Sequence, residues 1–169
     1  MASLLKPWRR EAVVWRPLVA ADVSYVAALE AQIHAAPWTP ANFREALAAG
    51  YSARAGEREG RIVAYGVLML APGEAQLLNL SVVPDARREG LGRGLLARFL
   101  DDAARLHAEQ VFLEVRVSNK AAIALYEREG FVRVARRVAY YPIRVGESHG
   151  EDALVMRRAL VRENWVNGP

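Results

Sequence analysis

Apolar residues return at every third or fourth position along one stretch of the chain: Leu91, Leu95, Leu96, Phe99, Leu100, Ala103 and Leu106. That period predicts a long amphipathic helix. A second helix is predicted over Asn119–Glu129, with Ser118 or Asn119 as its cap and Gly130 at the left-handed position that ends it. Near the start, Val23, Val26, Ala27 and Ile33 form a stripe of helical spacing behind Asp22, a good N-cap residue. Thr39–Pro40 restarts a shorter helix with Phe43 and Leu47 on one side, and Gly50 ends it. Between these lie runs rich in β-branched and aliphatic residues. They predict strands at Ala12–Leu18, Tyr51–Ala55, Ile62–Leu70, Ala75–Val83, Val111–Val117, Val132–Tyr141 and Asp152–Leu160. The order is β-α-α-β-β-β-α-β-α-β-β. Short turns give antiparallel hairpins, and the strand–helix–strand crossover gives a parallel pair. The predicted fold is therefore a mixed α/β sheet (α+β) with helices covering its faces.

The chain has 169 residues, which favours one domain over 1–169, with a core of about 12–160 and short flexible ends. Trp165, in the tail from Val161, is the one residue there suited to dock on the body. No repeat or low-complexity tract interrupts the chain. Hydrophobic residues make up 53%, too many for intrinsic disorder. The absence of cysteine excludes disulfides, thiolate metal sites and a cysteine acyl-enzyme, and three scattered histidines make a histidine metal site an unlikely design. The net charge is +4, carried almost wholly by arginine, since Lys6 and Lys120 are the sole lysines. A basic surface attracts anionic partners, but these arginines are spread along the chain, as a compositional bias also produces. The first ten residues lack the form of a signal peptide. The longest apolar run, Ile62–Ala71, falls short of the roughly 20 residues that cross a membrane. A cytoplasmic location follows as the expectation.

Between the strand ending near Val83 and the long helix stands Arg87-Arg88-Glu89-Gly90-Leu91-Gly92. Glycines at a strand-to-helix turn expose consecutive backbone N–H groups at the positive end of a helix, where a pyrophosphate binds well. An ordinary helix-start turn has the same glycines. No G-K-[ST] follows, so this is not a P-loop, and the third glycine and ribose-binding acid of a dinucleotide fold are missing.

The strand, Val83-Pro84, the arginine–glycine run and the helix together resemble the GNAT superfamily of acetyl-coenzyme A-dependent N-acetyltransferases. A second motif of that family follows at the expected distance: Leu113-Glu114-Val115-Arg116, Asn119, Ala124-Leu125-Tyr126-Glu127 and Gly130-Phe131. Ala36-Pro37-Trp38, Asn79-Leu80-Ser81-Val82, Tyr140-Tyr141-Pro142 and Glu151-Asp152-Ala153 extend the likeness from about Trp15 to Leu160. They point to the branch that acetylates N-terminal alanines of ribosomal proteins. Val83 departs from the pattern, where many members carry an acid. Glu89 departs too, and must turn outward from any phosphate.

The resemblance implies acetyl-coenzyme A as cosubstrate, no metal, and direct attack by the acceptor amine in a ternary complex. It implies that the backbone of Leu80, Ser81 and Val82 holds the acetyl group, and that Arg88, Glu89, Gly90, Leu91, Gly92 and Arg93 cradle the pyrophosphate. Glu114 becomes the candidate base, unless it is a surface glutamate paired with Arg116. Tyr126 becomes the candidate acid toward the thiolate, unless it is a core aromatic. Asn119 either holds the pantetheine arm or caps its helix. Trp38, Tyr140 and Tyr141 either line an acceptor groove or pack locally. Glu147, Glu151 and Asp152 would draw basic acceptors toward such a groove. The implied partner is a protein N-terminus, with neither a membrane nor direct nucleic-acid binding. Two other functions fit less of the chain: acetylation of a small amine, and a non-catalytic basic module that binds RNA or ribosomes.

Overall fold

A computed structural model describes residues 12–143, 145–146 and 148–160. The expectations for the first ten residues, for Glu147 and for the tail from Val161 with Trp165 lie outside these. The described elements run β1 (Val14–Pro17), α1 (Val23–Ile33), α2 (Pro40–Ala48), β2 (Ser52–Arg58), β3 (Arg61–Ala71), β4 (Glu74–Val82), α3 (Leu91–Arg105), β5 (Gln110–Arg116), α4 (Lys120–Arg128), β6 (Val132–Tyr141) and β7 (Glu151–Ala159). The mixed α/β fold is as the periodicity predicts. Seven strands form one sheet in the order β1-β2-β3-β4-β5-β7-β6. Among the described strands only β4 and β5 are parallel neighbours, joined by the crossover through α3.

The sheet is coated on both faces. Leu95, Leu96, Phe99, Leu100 and Ala103 of α3, with Ile123 and Tyr126 of α4, pack on Leu77, Leu113, Val115 and Met156. On the opposite face, Val23, Val26 and Ala27 of α1 and Phe43 and Ala46 of α2 pack on Ala53, Ala55, Tyr65 and Val67. The capping chemistry sets the ends. Thr39 caps α2 by accepting from the Asn42 N–H at 3.3 Å, with Pro40 first in the helix. Gly130, at φ +85°, closes α4, and the Phe131 N–H reaches back to the Tyr126 carbonyl at 2.9 Å. Asp22 differs from expectation. It accepts from the Val19 N–H at 2.9 Å across a 3-10 turn and pairs with Arg16 at 2.7 Å, so it does not cap α1 with its side chain.

Two irregularities place the site. Val67 pairs with Asn79, whereas Leu68 pairs with Leu77, so Leu78 is an extra residue in β4. A bulge of this kind shifts the alternation of side chains by one. Ala75 and Leu77 face α3, and beyond the bulge it is Leu80 and Val82 that pack on that side. Asn79 and Ser81 turn to the α1 face. The second irregularity is that β4 and β5 part. Their pairing ends at Leu77–Leu113, while β4 runs on to Val82 and β5 to Arg116.

Candidate active site

The parting of β4 and β5 leaves backbone groups without a strand partner. The Val83 N–H donates to the Val63 carbonyl at 3.0 Å. Because N–H directions alternate along a strand, the N–H groups of Leu80 and Val82 point the other way, into the opening. Of the three residues expected to hold an acetyl group, Leu80 and Val82 turn their N–H groups to the opening, whereas Ser81 offers its side chain to the opposite helical layer. The Val82 carbonyl on that side accepts from Arg87 Nε at 3.1 Å.

Helix α3 starts beside the mouth of this opening. Gly90 is its N-cap, at φ +80°, and Arg88 is also left-handed, at φ +65°. The first intrahelical bond is made by the Gly94 N–H, which leaves those of Leu91, Gly92 and Arg93 directed out of the helix end. A Cβ on Gly92 would stand 3.4 Å from Leu125, so α4 leans on the first turn of α3. Glu89 does not turn outward to solvent. It folds back onto Arg58 of β2 at 2.7 Å, with its side chain 11% exposed, and so brings no free charge to the helix end. Arg93 is likewise drawn aside, to Glu129 at 2.7 Å. An anion at this helix end would meet backbone more than these side chains.

Glu114 and Tyr126 stand on opposite sides of the sheet. Leu113 and Val115 face α3 and α4, so Glu114 faces the α1–α2 side. The expected alternative partner, Arg116, is engaged elsewhere: it donates to Glu151 at 3.1 Å and stacks 4.0 Å over Tyr141. Glu114 instead meets Arg137 of β6 at 3.1 Å, with its own side chain only 16% exposed. The Tyr140 hydroxyl also bonds this carboxylate, and that bond, with burial second, raises the tyrosine above its usual range. Burial, opposed by the Arg116 charge and aided by Glu114, pushes Tyr141 up to about 12. Tyr126 is buried, and desolvation pushes its hydroxyl well above an ordinary tyrosine. Asn119 caps α4 by accepting from the Ala122 N–H at 3.2 Å, which leaves its NH₂ group free of that task. Trp38 packs on Phe43 with ring centroids 5.2 Å apart and is half-buried. Glu151 and Asp152, expected to attract basic acceptors, both have partners within the protein. Glu151 is tied to Arg116 and to the Ser118 N–H, and Asp152 to Arg136 and the Ala139 N–H.

A cluster that sequence reasoning missed lies on the α1 side of β4. Glu30 is 2% exposed, accepts from the Tyr65 hydroxyl at 2.6 Å, from Asn79 Nδ2 at 3.0 Å and from the Trp38 N–H at 3.3 Å. His34, one turn on, places Nε2 2.8 Å from Ser81 Oγ. The signal was available: Glu30 falls on the apolar stripe of α1, three residues after Ala27.

An opening with two inward amides, a helix N-terminus at its mouth, a buried phenol on one side and a carboxylate on the other suits acyl transfer from a phosphorylated carrier. Comparison with known proteins agrees with that class. Residues 23–131 match the model of the acetyltransferase (GNAT) family. The chain belongs to the GNAT family of acetyltransferases. It is 38% identical over 128 residues to an Escherichia coli K12 protein named [ribosomal protein bS18]-alanine N-acetyltransferase, covering 76% of this chain and 84% of that one. It is 39% identical over 155 residues to the N-alpha-acetyltransferase RimI of Mycobacterium tuberculosis, covering 88% and 93%. The crystal structure of the Escherichia coli ribosomal-protein-S18-alanine N-acetyltransferase superposes with a TM-score of 0.80 at 33% identity, over 90% of this chain and 97% of that one.

Proposed function

We propose that this protein transfers the acetyl group of acetyl-coenzyme A to the α-amine of a protein N-terminus, an N-terminal alanine of a small-subunit ribosomal protein being its acceptor. The observation that carries this reading is the pair of Leu80 and Val82 amides turned into the gap between β4 and β5, beside the N-terminus of α3. The names of the bS18-specific and RimI relatives support the choice of acceptor. A ribosomal-protein acceptor puts the reaction in the cytoplasm, with neither a membrane nor nucleic acid as direct partner. No helix among the described residues is long and apolar enough to cross a membrane.

Bound acetyl-coenzyme A supplies an acetyl group activated as a thioester. The N–H groups of Leu91, Gly92 and Arg93 hold its phosphates at the positive end of α3, with the backbone of Arg88, Glu89 and Gly90 shaping the turn. The Asn119 NH₂ group donates to the pantetheine arm. The Leu80 and Val82 amides donate to the acetyl carbonyl oxygen and stabilise the charge that grows there. Glu114 takes one proton from the attacking amine, and Tyr126 gives one to the departing sulfur, so a C–N bond forms as the C–S bond breaks. The raised Tyr126 hydroxyl stays protonated at neutral pH, as a donor must. Trp38, Tyr140 and Tyr141 flank the acceptor. The test uses peptides beginning Ala-Arg or Ser-Arg, the same peptides blocked at the α-amine, and free spermidine. Acetylation confined to free N-termini is expected. Transfer to blocked peptides or spermidine alone would overturn the acceptor.

A further inference from the structure

Glu30 is a buried carboxylate held by neutral groups. Among the described residues no arginine or lysine is within ion-pair distance of it, and the nearest cationic candidate is His34, at 3.6 Å from Oε2. A buried carboxylate without a cation is costly, so the arrangement needs a reason beyond packing. Its bonds join three separate pieces: the turn at Trp38, Tyr65 of β3 and Asn79 of β4. Those pieces are the wall of the acceptor side and the strand that carries the two inward amides.

His34 stands at the end of this chain of bonds. The Ser81 hydroxyl donates its proton to Asn79 Oδ1 at 3.2 Å, so toward His34 it acts as acceptor. In that arrangement Nε2 carries the hydrogen, as the Glu30 carboxylate 3.6 Å away favours, and in the neutral ring Nδ1 holds the lone pair. Nε2 is turned inward onto Ser81 and Glu30, yet the side chain is 39% exposed. Nδ1 is the ring nitrogen that neither of those partners engages. Ser81 lies between Leu80 and Val82, on the face of β4 opposite their side chains. An acceptor that attacks a carbonyl held by those amides from the α1–α2 side meets His34 there.

The geometry points to His34 as a contact for the attacking α-amine, with Nδ1 accepting its hydrogen bond, and to Glu30 as the positioning residue that, with Ser81, fixes the ring. This rests on the N-terminal acetyltransferase reading. His34→Gln keeps an amide able to donate to Ser81 but has no acceptor at the Nδ1 position, whereas His34→Ala loses both. If His34 contacts the amine, both variants lower kcat/KM for an Ala-Arg peptide by about 10–100-fold, the size carried by a hydrogen bond to a charged or charge-developing group. The affinity for acetyl-coenzyme A by calorimetry stays within about twofold of wild type. Glu30→Gln raises the peptide KM in the same assay. If His34 only braces β4, His34→Gln rescues and matches wild type, which overturns the inference while leaving the acceptor reading intact. A wild-type protein that acetylates no peptide defeats both. Nitrogen-15 spectra of the wild-type histidines serve if a variant fails to fold: a His34 Nδ1 resonance that moves on adding peptide with coenzyme A supports the contact, and one that does not move overturns it.

Discussion

The two faces of the sheet are built alike and equipped differently. Each helical layer is pinned to the β1–β2 end of the sheet by an arginine–aspartate pair: Arg54 on β2 holds Asp102 of α3, and Arg16 on β1 holds Asp22 ahead of α1. Each has a fully buried phenylalanine at its centre, Phe99 and Phe43. The α3–α4 layer presents backbone at a helix end and one buried phenol. The α1–α2 layer presents a web of side chains running Glu30, Asn79, Ser81, His34, joined at Glu30 by the Trp38 main-chain N–H. On the proposed function, the phosphate arm of the carrier is met by main chain and the acceptor, which must be chosen, by side chains.

The sharpest way to break this contrast is to empty each core in turn. Phe99→Ala and Phe43→Ala should each cost about 3–5 kcal/mol of stability, read by denaturant unfolding. In whatever folded protein remains, the first should weaken acetyl-coenzyme A binding and the second should raise the peptide KM. Equal damage to both functions from either change would mean that the layers are not separate.

Next come the two proposed acid–base groups, one on each side. Tyr126→Phe and Glu114→Gln should each slow turnover by about 10²–10⁴-fold with little change in calorimetric cofactor affinity. A variant with wild-type turnover, where chemistry limits the rate, removes that residue from the mechanism. A smaller effect is expected at Gly90. Its φ of +80° costs an L-residue about 1–2 kcal/mol, so Gly90→Ala should loosen the start of α3 and weaken cofactor binding without altering the peptide KM. Gly92 is a poorer place for that test. Its missing Cβ faces Leu125, Leu80 and Val82, and an aspartate there would bury a carboxylate among them.

The smallest effect concerns acid. The Arg16 bond holds Asp22 below its usual 3.8. Burial works to raise Asp102, but Arg54 and Ser52 outweigh it and keep it low as well. A carboxylate depressed in the folded state contributes stability that is complete above about pH 4 and is lost as pH falls through the folded value. Melting temperature should therefore drop as the solution is taken from pH 5 to pH 2, and Asp102→Asn should flatten that dependence. An unchanged slope would mean the pair does not tie α3 to the sheet.

How legible each layer was in the sequence follows from the same contrast. The α3 stripe, the glycine turn and the α4 cap are local patterns, and their boundaries agree within about two residues. Leu78 as a bulge could not be read, because nothing in Leu77-Leu78-Asn79 distinguishes an extra residue from a paired one. That single residue decides which way Leu80 and Val82 point. Partners of charged groups were equally hidden. Arg116 is nearer to Glu114 in sequence, but Arg137 reaches it across the sheet, since β7 enters between β5 and β6. Glu30 was legible in principle, as a carboxylate on an apolar stripe. His34 was not, because its partner Ser81 is 47 residues away.

The account turns on the direction of two amides. Amide exchange and chemical shifts of Leu80, Ser81, Val82 and Val83, measured with and without saturating acetyl-coenzyme A, test it directly. The Val83 amide, and by alternation that of Ser81, is already bonded to β3 and should be protected throughout. The Leu80 and Val82 amides should exchange faster in the free protein, then shift and gain protection when the cosubstrate binds. Saturation with acetyl-coenzyme A that leaves Leu80 and Val82 unmoved would contradict the account.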